Sequence, residues 1–143
     1  MTREEADAVI AAHFRKHRIE QPGLNAQGTA GALIEGEQLF FEHDADSGTL
    51  RCSALIYRFR ERPFPGLIEA MREAAGQPEH STGGAGLLYR SELMTLSLAR
   101  QYTQAPPATV FEEDQAALRE TCTRWRQTSF AAIAEQVRHG SRA

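Results

Sequence analysis

The chain has 143 residues and a formal net charge of -3 at pH 7, which suits one domain with its own hydrophobic core. This slight acidity argues against a nucleic-acid-binding protein, because such proteins usually present a basic face. Met1–Phe14 mixes charges and lacks a long apolar run, so we expect neither a signal peptide nor a membrane span. We predict a single domain over residues 1–143.

The first predicted element is a helix over Thr2–Ile19. Thr2 and Glu5 have the spacing of a capping box, in which each side chain bonds the backbone N–H of the other residue. Apolar and histidine side chains recur at helical spacing and form one stripe. The stripe consists of Ala6, Val9, Ile10, His13, Phe14 and His17. Pro22 and Gly23 end the element.

Three strands follow in a predicted meander, at Gly31–Ile34, Gln38–His43 and Thr49–Phe59. Side chains alternate along the third strand, so its residues divide between two faces. One face is apolar throughout and carries Leu50, Cys52, Ala54 and Ile56. The other face ends in Leu55, Tyr57 and Phe59. We expect that apolar end to be covered by another segment, a second subunit or a binding partner.

A second helix is predicted after Pro63, because apolar residues again recur at helical spacing before Gly76. These residues are Phe64, Leu67, Ile68, Met71, Ala74 and Ala75. Gln77–Gly86 is a predicted surface loop. Two further strands are predicted at Leu87–Arg90 and Leu93–Tyr102, and a helix over Ser91–Gln101 is the alternative for the second of them.

The last helix is predicted to run from a capping box at Thr109–Glu112 to about His139. The predicted order is therefore helix, three strands, helix, two strands, helix. This order indicates an α+β fold in which helices cover a twisted antiparallel sheet.

Two histidines, His13 and His17, lie four residues apart on the first helix, a spacing that can place two imidazoles on one metal ion. The metalloprotease pattern also requires a Glu directly after the first His, and Phe14 stands there. No third ligand stands out in the sequence. We therefore interpret both histidines as part of the helix stripe and predict no metal site.

The other polar clusters do not form a catalytic set. Asp44 and Asp46 lack the later ligands of a calcium loop and fit a hairpin turn. His43 and Asp44 are adjacent on a strand and point to opposite faces, so they do not pair for nucleophilic catalysis. Cys52 and Cys122 have no metal or redox spacing, and we expect buried free thiols in a reducing cytoplasm. We predict no catalytic residue, no enzymatic activity and no cofactor.

The pattern resembles the small class I chaperones of bacterial type III secretion, the Tir-chaperone-like group. The resemblance covers Ala6 to about Val137 and depends on apolar positions and turns rather than on a sharp motif. The matching stretches are HFRKHRIEQPGLNAQG, GALIEGEQLFFEHDADSGTLRCSALI, FPGLIEAMREAA, LMTLSLARQY and LRETCTRWRQ.

This resemblance implies a cytoplasmic bacterial homodimer without catalytic activity. Such chaperones hold a segment of a secreted effector in an extended form, with no nucleic acid and no membrane as partner. By analogy, the effector-binding residues are expected to be Phe14, Ile34, Phe40, Leu55 and Tyr57. The dimer interface is expected to contain Leu67, Met71, Leu87 and Tyr89.

Two other functions remain open at this point. One is a regulatory or toxin-neutralising interaction module of the same fold. The other is a small-ligand-binding α+β domain, which would require convergent polar residues inside an apolar cavity. The Arg58–Arg62 stretch alternates arginine with aromatic or acidic residues, and the sequence leaves open whether it contributes to partner binding.

Overall fold

The computed structural model describes residues 1–140, and its helices and strands follow the predicted order. The elements are α1 (Arg3–Lys16), β1 (Thr29–Ile34), β2 (Glu37–Asp44), β3 (Thr49–Arg58), α2 (Leu67–Ala74), β4 (Gly86–Arg90), β5 (Thr95–Tyr102), α3 (Ala108–Arg124) and α4 (Phe130–Gly140). A single turn of 3-10 helix at Pro78–His80 precedes β4, and a π-helical turn at Trp125–Ser129 joins α3 to α4.

The five strands form one antiparallel sheet in the order β1-β2-β3-β5-β4. Helices cover one face of this sheet. α3 lies across β2, β3 and β5, α1 packs on α3 and β2, and α2 packs against β4 and α4. The buried residues Phe41, Cys52 and Leu98 point into the space between the sheet and the helices. The predicted α+β architecture is therefore confirmed, and the core lies on one side of the sheet.

Both predicted capping boxes can be compared with the structure. At α1 the prediction is confirmed, because the Glu5 N–H donates to Thr2 Oγ1 and the Thr2 N–H donates to Glu5 Oε1. At α3 the prediction is wrong, because the helix begins at Ala108 with Pro107 as its N-cap residue. The fixed φ of proline suits a helix start, so Thr109 lies inside the first turn and has no capping role.

A β-bulge in β3 overturns one expectation about its faces. Leu55 pairs with Ser97, whereas Tyr57 pairs with Leu96, so the alternation breaks between them. Tyr57 consequently turns to the helix-covered side and stacks on Phe130, with ring centroids 4.4 Å apart. The prediction that Leu55, Tyr57 and Phe59 share one face is wrong.

In the second half of the chain, the structure decides between the strand and the helix predicted near residues 91–102 and shows two local features. Residues 95–102 form a strand, so the alternative helix over Ser91–Gln101 is excluded. The strand starts later than predicted because Ser91–Met94 makes the β4–β5 turn, with Met94 at a φ of 53°. The last helix is not regular to its end, since the π-helical turn interrupts it where Trp125 is fully buried. None of the helices within residues 1–140 has the length and hydrophobicity needed to cross a membrane.

The face of the sheet opposite the helices is strongly curved, and we call it the open face. Arg90 of β4 forms an ion pair with Glu42 of β2, although β3 and β5 lie between these strands. Three strand spacings amount to about 14 Å in a flat sheet, more than these side chains span together. The ion pair therefore requires the sheet to curl around its open face. Arg51 of β3 also contacts Glu42, at 3.1 Å.

Candidate protein-binding surfaces

The five residues predicted to bind an effector do not form one surface. Phe14 and Ile34 are buried in the core of the protomer and offer no surface to a partner. Phe40 and Leu55 lie on the open face, where Phe40 is 39% exposed and Leu55 is half-buried. Tyr57 is partly exposed on the other side of the sheet, as the β3 bulge dictates. Of the set, only Phe40 and Leu55 lie on the open face.

A residue that the sequence interpretation missed extends this surface to the edge of the sheet. Leu33 of β1 is 65% exposed and lies beside Phe40 on the open face, since Leu33 pairs with Gln38 and Gly31 pairs with Phe40. Gly31 has no side chain to cover the Phe40 ring. We call Leu33 and Phe40 the edge patch. Its sequence signal is the alternation in TAGALI, where Leu33 lies out of phase with the buried Ala30 and Ile34.

The edge of the sheet beside this patch lacks the usual protection. Within residues 1–140, β1 pairs with β2 alone, and its outward backbone groups belong to Thr29, Gly31 and Leu33. Asn25 bonds both the N–H and the C=O of Thr29, whereas those of Gly31 and Leu33 have no strand partner. Edge strands are normally guarded against further pairing by charged residues, proline or a bulge. The six residues of β1 include no charge and no proline, and their register with β2 is continuous from Thr29 to Ile34. This edge can therefore accept a further strand.

The concave open face also contains a groove next to the edge patch. It has a volume of about 270 Å³, and its apolar lining comes from Phe40, Leu55, Leu88 and Leu93. Ser53, Thr95 and Ser97 supply hydroxyl groups, and Arg58 and Arg90 also line the groove, Arg90 in its ion pair with Glu42. The apolar part of this lining suits the side chains of an extended peptide. No cluster of buried charged groups converges on this groove within residues 1–140.

The residues predicted for a dimer interface divide by burial. Leu67 and Met71 are buried beneath α2 and belong to the core of the protomer. Leu87 and Tyr89 of β4 are half-buried and reach the surface. Tyr89 lines a groove of about 610 Å³ between α2 and β4, together with Phe64, which is 37% exposed. We call this the α2–β4 groove. The dimer assignment of all four residues stays a prediction.

Three polar side chains meet between α1 and α3. His13 Nδ1 lies 2.5 Å from Glu112 Oε2, and His17 Nε2 lies 2.8 Å from Glu112 Oε1. An ionised carboxylate only accepts hydrogen bonds, so both imidazoles donate to it. Partial burial opposes the charge on Glu112, but the bonds from the two histidines prevail and lower the pKa of Glu112. Burial lowers the pKa of His13, although Glu112 opposes this shift.

The two cysteines are free and buried, as predicted. Burial raises the pKa of the Cys122 thiol to about 12 and also raises that of the Cys52 thiol. Cys122 Sγ donates to the Leu55 carbonyl at 3.2 Å. Both thiols are therefore poor nucleophiles in the folded chain.

No protein-family model and no curated protein sequence matches the chain. Solved structures do match it. A chain of the ExsC–ExsE complex superposes with a TM-score of 0.69 at 14% identity, covering 90% of this chain and 96% of that one. A chain of the HopA1–SchA chaperone–effector complex gives 0.63 at 15% identity, covering 88% and 96%. A chain of the heterodimeric ExoU–SpcU complex, from the type III secretion system of Pseudomonas aeruginosa, gives 0.55 at 17% identity, covering 85% and 94%. The predicted resemblance is thus confirmed at the level of fold: this chain shares its fold with a chain of a chaperone–effector complex and with a chain of a complex from a type III secretion system.

Proposed function

We propose that the chain is a non-catalytic chaperone that holds an extended segment of a secreted effector protein for type III secretion. The observation that carries the proposal is the β1 edge beside the edge patch, in a fold shared with a chain of the HopA1–SchA chaperone–effector complex. We also propose that it works as a homodimer in the bacterial cytoplasm.

Strand addition explains how such a site could bind a client. An extended client segment placed along β1 would pair its backbone with the outer N–H and C=O groups of that strand. Its side chains would alternate, and every second one would lie over Leu33 and Phe40 or enter the open-face groove. Backbone pairing supplies affinity with little demand on sequence, while the apolar positions supply selectivity. An unfolded segment meets these requirements, because its backbone N–H and C=O groups are free to pair.

The α2–β4 groove is our candidate for the dimer interface. Phe64 and Tyr89 place aromatic side chains at its surface, and Arg62, Glu69, Arg72 and Glu92 surround them. Aromatic anchors inside a charged rim are typical of protein–protein interfaces. β4 is also the second edge strand, at the opposite end of the sheet from β1. A dimer formed there leaves both β1 edges free for client segments.

The test begins with purified chain used to capture partners from the native bacterium, followed by mass spectrometry. The N-proximal segment of a captured secreted protein is then synthesised with a fluorophore and titrated with the chain. Leu33→Asp is the edge variant, and Val110→Asp is the control, since Val110 is an exposed apolar residue on α3. Burying a leucine side chain contributes about 1.5–3 kcal/mol, so Leu33→Asp is expected to weaken binding by about tenfold or more.

Three results would contradict the proposal. The first is a client that binds only as a folded domain, which would favour the regulatory or toxin-neutralising alternative. The second is equal affinity of the Leu33→Asp and Val110→Asp variants for the extended segment. The third is recovery of a small molecule with no protein partner, which would favour a ligand-binding domain.

A further inference from the structure

The cluster of His13, His17 and Glu112 has the composition of a metal site. His13 lies in the last turn of α1, His17 is the C-cap residue of that helix, and Glu112 comes from the first turns of α3. One ligand atom from each residue lies within 4.8 Å of the other two. We infer that these three side chains form a binding site for a divalent transition-metal ion, with Zn²⁺ the best match, that ties α1 to α3.

The ligand types and distances fit zinc. Zn²⁺ takes imidazole nitrogen and carboxylate oxygen at about 2.0–2.2 Å, commonly from three protein ligands and one water. Ligand atoms around a tetrahedral ion at such distances are separated by about 3.3 Å. The His13–Glu112 and His17–Glu112 distances of 2.5 and 2.8 Å run to different carboxylate oxygens. Since one atom of each residue lies within 4.8 Å of the other two, each separation needs to change by no more than about 1.5 Å. The Glu112 side chain can supply part of this movement, because its carboxylate keeps some exposure.

The aromatic neighbours of His13 hold its ring in place. Phe111 lies edge-on to the imidazole with centroids 5.1 Å apart, and Phe41 does so at 5.9 Å. The side chain of His13 is fully buried, so its orientation is fixed before an ion arrives. His17 contacts the same ring, with centroids 4.6 Å apart. Rigid ligands of this kind reduce the entropy that a metal site loses on binding.

An ion also has a route to the site and room for a water ligand. A groove of about 320 Å³ between α1 and α3 is lined by His13 and Glu112 and opens to solvent. Its other walls include Ala12, Phe111 and the stem of Lys16. Three protein ligands facing an open groove leave the fourth position to water, as in zinc sites that are not purely structural.

Two features limit the affinity of the site. An ion on Nδ1 of His13 places the ring proton on Nε2, which is buried and has no hydrogen-bond partner within residues 1–140. The ammonium group of Lys16 lies 3.9 Å from Glu112 Oε1 and competes for the carboxylate. Because of both features, we expect binding in the micromolar range rather than the tight binding of four-ligand structural zinc.

The test uses the full chain, freed of metal with a chelator and dialysed, and titrated with zinc chloride by calorimetry. We expect one Zn²⁺ per protomer. His17→Ala and Glu112→Gln are each expected to lower the affinity by about tenfold or more, since even outer-sphere changes cost that much. His139→Ala is the matched control, because His139 also pairs with a glutamate one turn away, Glu135, on exposed α4. Its affinity for zinc should equal that of the wild type.

Cobalt spectroscopy gives an independent readout of the ligands. Co²⁺ in place of Zn²⁺ should show visible bands of nitrogen and oxygen ligation without thiolate charge transfer, which would exclude Cys52 and Cys122 as ligands. Zinc should also raise the melting temperature of the wild type and not that of Glu112→Gln. The inference is overturned by the absence of binding at tens of micromolar zinc, or by equal affinity of wild type, His17→Ala and Glu112→Gln. Neither result bears on client binding at β1.

Discussion

Replacing Arg126 by Met is expected to destabilise the chain by about 2–3 kcal/mol. Arg126 lies in the π-helical turn and forms an ion pair with Glu37, the first residue of β2. Glu37 is only 1% exposed, and its second carboxylate oxygen has no hydrogen-bond partner among the residues that the structure describes. Without Arg126, a nearly buried carboxylate loses its charged partner.

The magnitude follows from the unequal burial of the two partners. Breaking a fully buried ion pair from one side costs about 3–5 kcal/mol, because the remaining charge stays desolvated. Arg126 is 38% exposed, so water already shares in stabilising this pair. The expected loss therefore lies at or just below the lower end of that range. Methionine keeps the apolar stem and so removes the charge with little loss of packing. For a domain of this size, the melting temperature should fall by roughly 6–12 °C.

Urea unfolding followed by circular dichroism measures this loss directly. Arg124→Met is the control, because Arg124 lies two residues away, is exposed and contacts a backbone carbonyl of Ser81. The Arg124→Met substitution should lower the free energy of unfolding by less than about 0.5–1 kcal/mol. Adding Glu37→Gln to Arg126→Met should restore at least about 1 kcal/mol of the free energy of unfolding, since it removes the unpaired charge. A loss below about 0.5 kcal/mol in Arg126→Met, or strictly additive effects in the double variant, would refute the reasoning.

Three further predictions concern the surface and the thiols. Cys52 and Cys122 should resist a thiol reagent at pH 8 in the native chain and react fully in denaturant, and rapid native labelling would contradict their burial. Tyr89→Asp should convert the proposed dimer to a monomer in light scattering with an unchanged circular dichroism spectrum, and a wild type that is monomeric at micromolar concentration would remove that proposal. Leu33→Asp should leave the free energy of unfolding within about 0.5 kcal/mol of the wild type, since Leu33 is 65% exposed, and a larger loss would mean that it supports the fold.

The periodicity of the sequence predicted most of the fold. Alternation in β3 placed Leu50, Cys52, Ala54 and Ile56 on the core side, and all four are buried. Helical spacing located α1 and α2, and Gly, Pro and Asp marked the turns. These features are local, because side-chain period and turn chemistry act within a few residues.

The features that the sequence did not predict depend on contacts between distant segments. The β3 bulge lies in the pairing of β3 with β5, and it places Tyr57 on the face opposite to the one that simple alternation predicts. The curl of the sheet brings Arg90 to Glu42, residues that are 48 positions apart. Glu112 lies 99 positions from His13, which is why the two histidines had no visible third ligand. Patterns within a few residues of sequence do not predict such long-range contacts. The cluster of His13, His17 and Glu112 can therefore be recognised only in the folded chain.

Some residues predicted to bind a partner are buried in the structure, and an exposed residue was not predicted. Phe14 and Ile34 form part of the core, whereas Leu33, which the sequence interpretation did not select, is 65% exposed. A hydrophobic residue in a strand has the same sequence signal whether its face is covered or open. The difference arises from which face the helices occupy.

Hydrogen–deuterium exchange of the chain, alone and with its captured client segment, tests the central claim most directly. A client strand paired with β1 would protect the outward backbone amides of Gly31 and Leu33, which have no strand partner in the free protein. We predict slower exchange of these amides on binding, with β4 unchanged. Unaltered exchange throughout Thr29–Ile34 in a saturated complex would contradict strand addition at this edge.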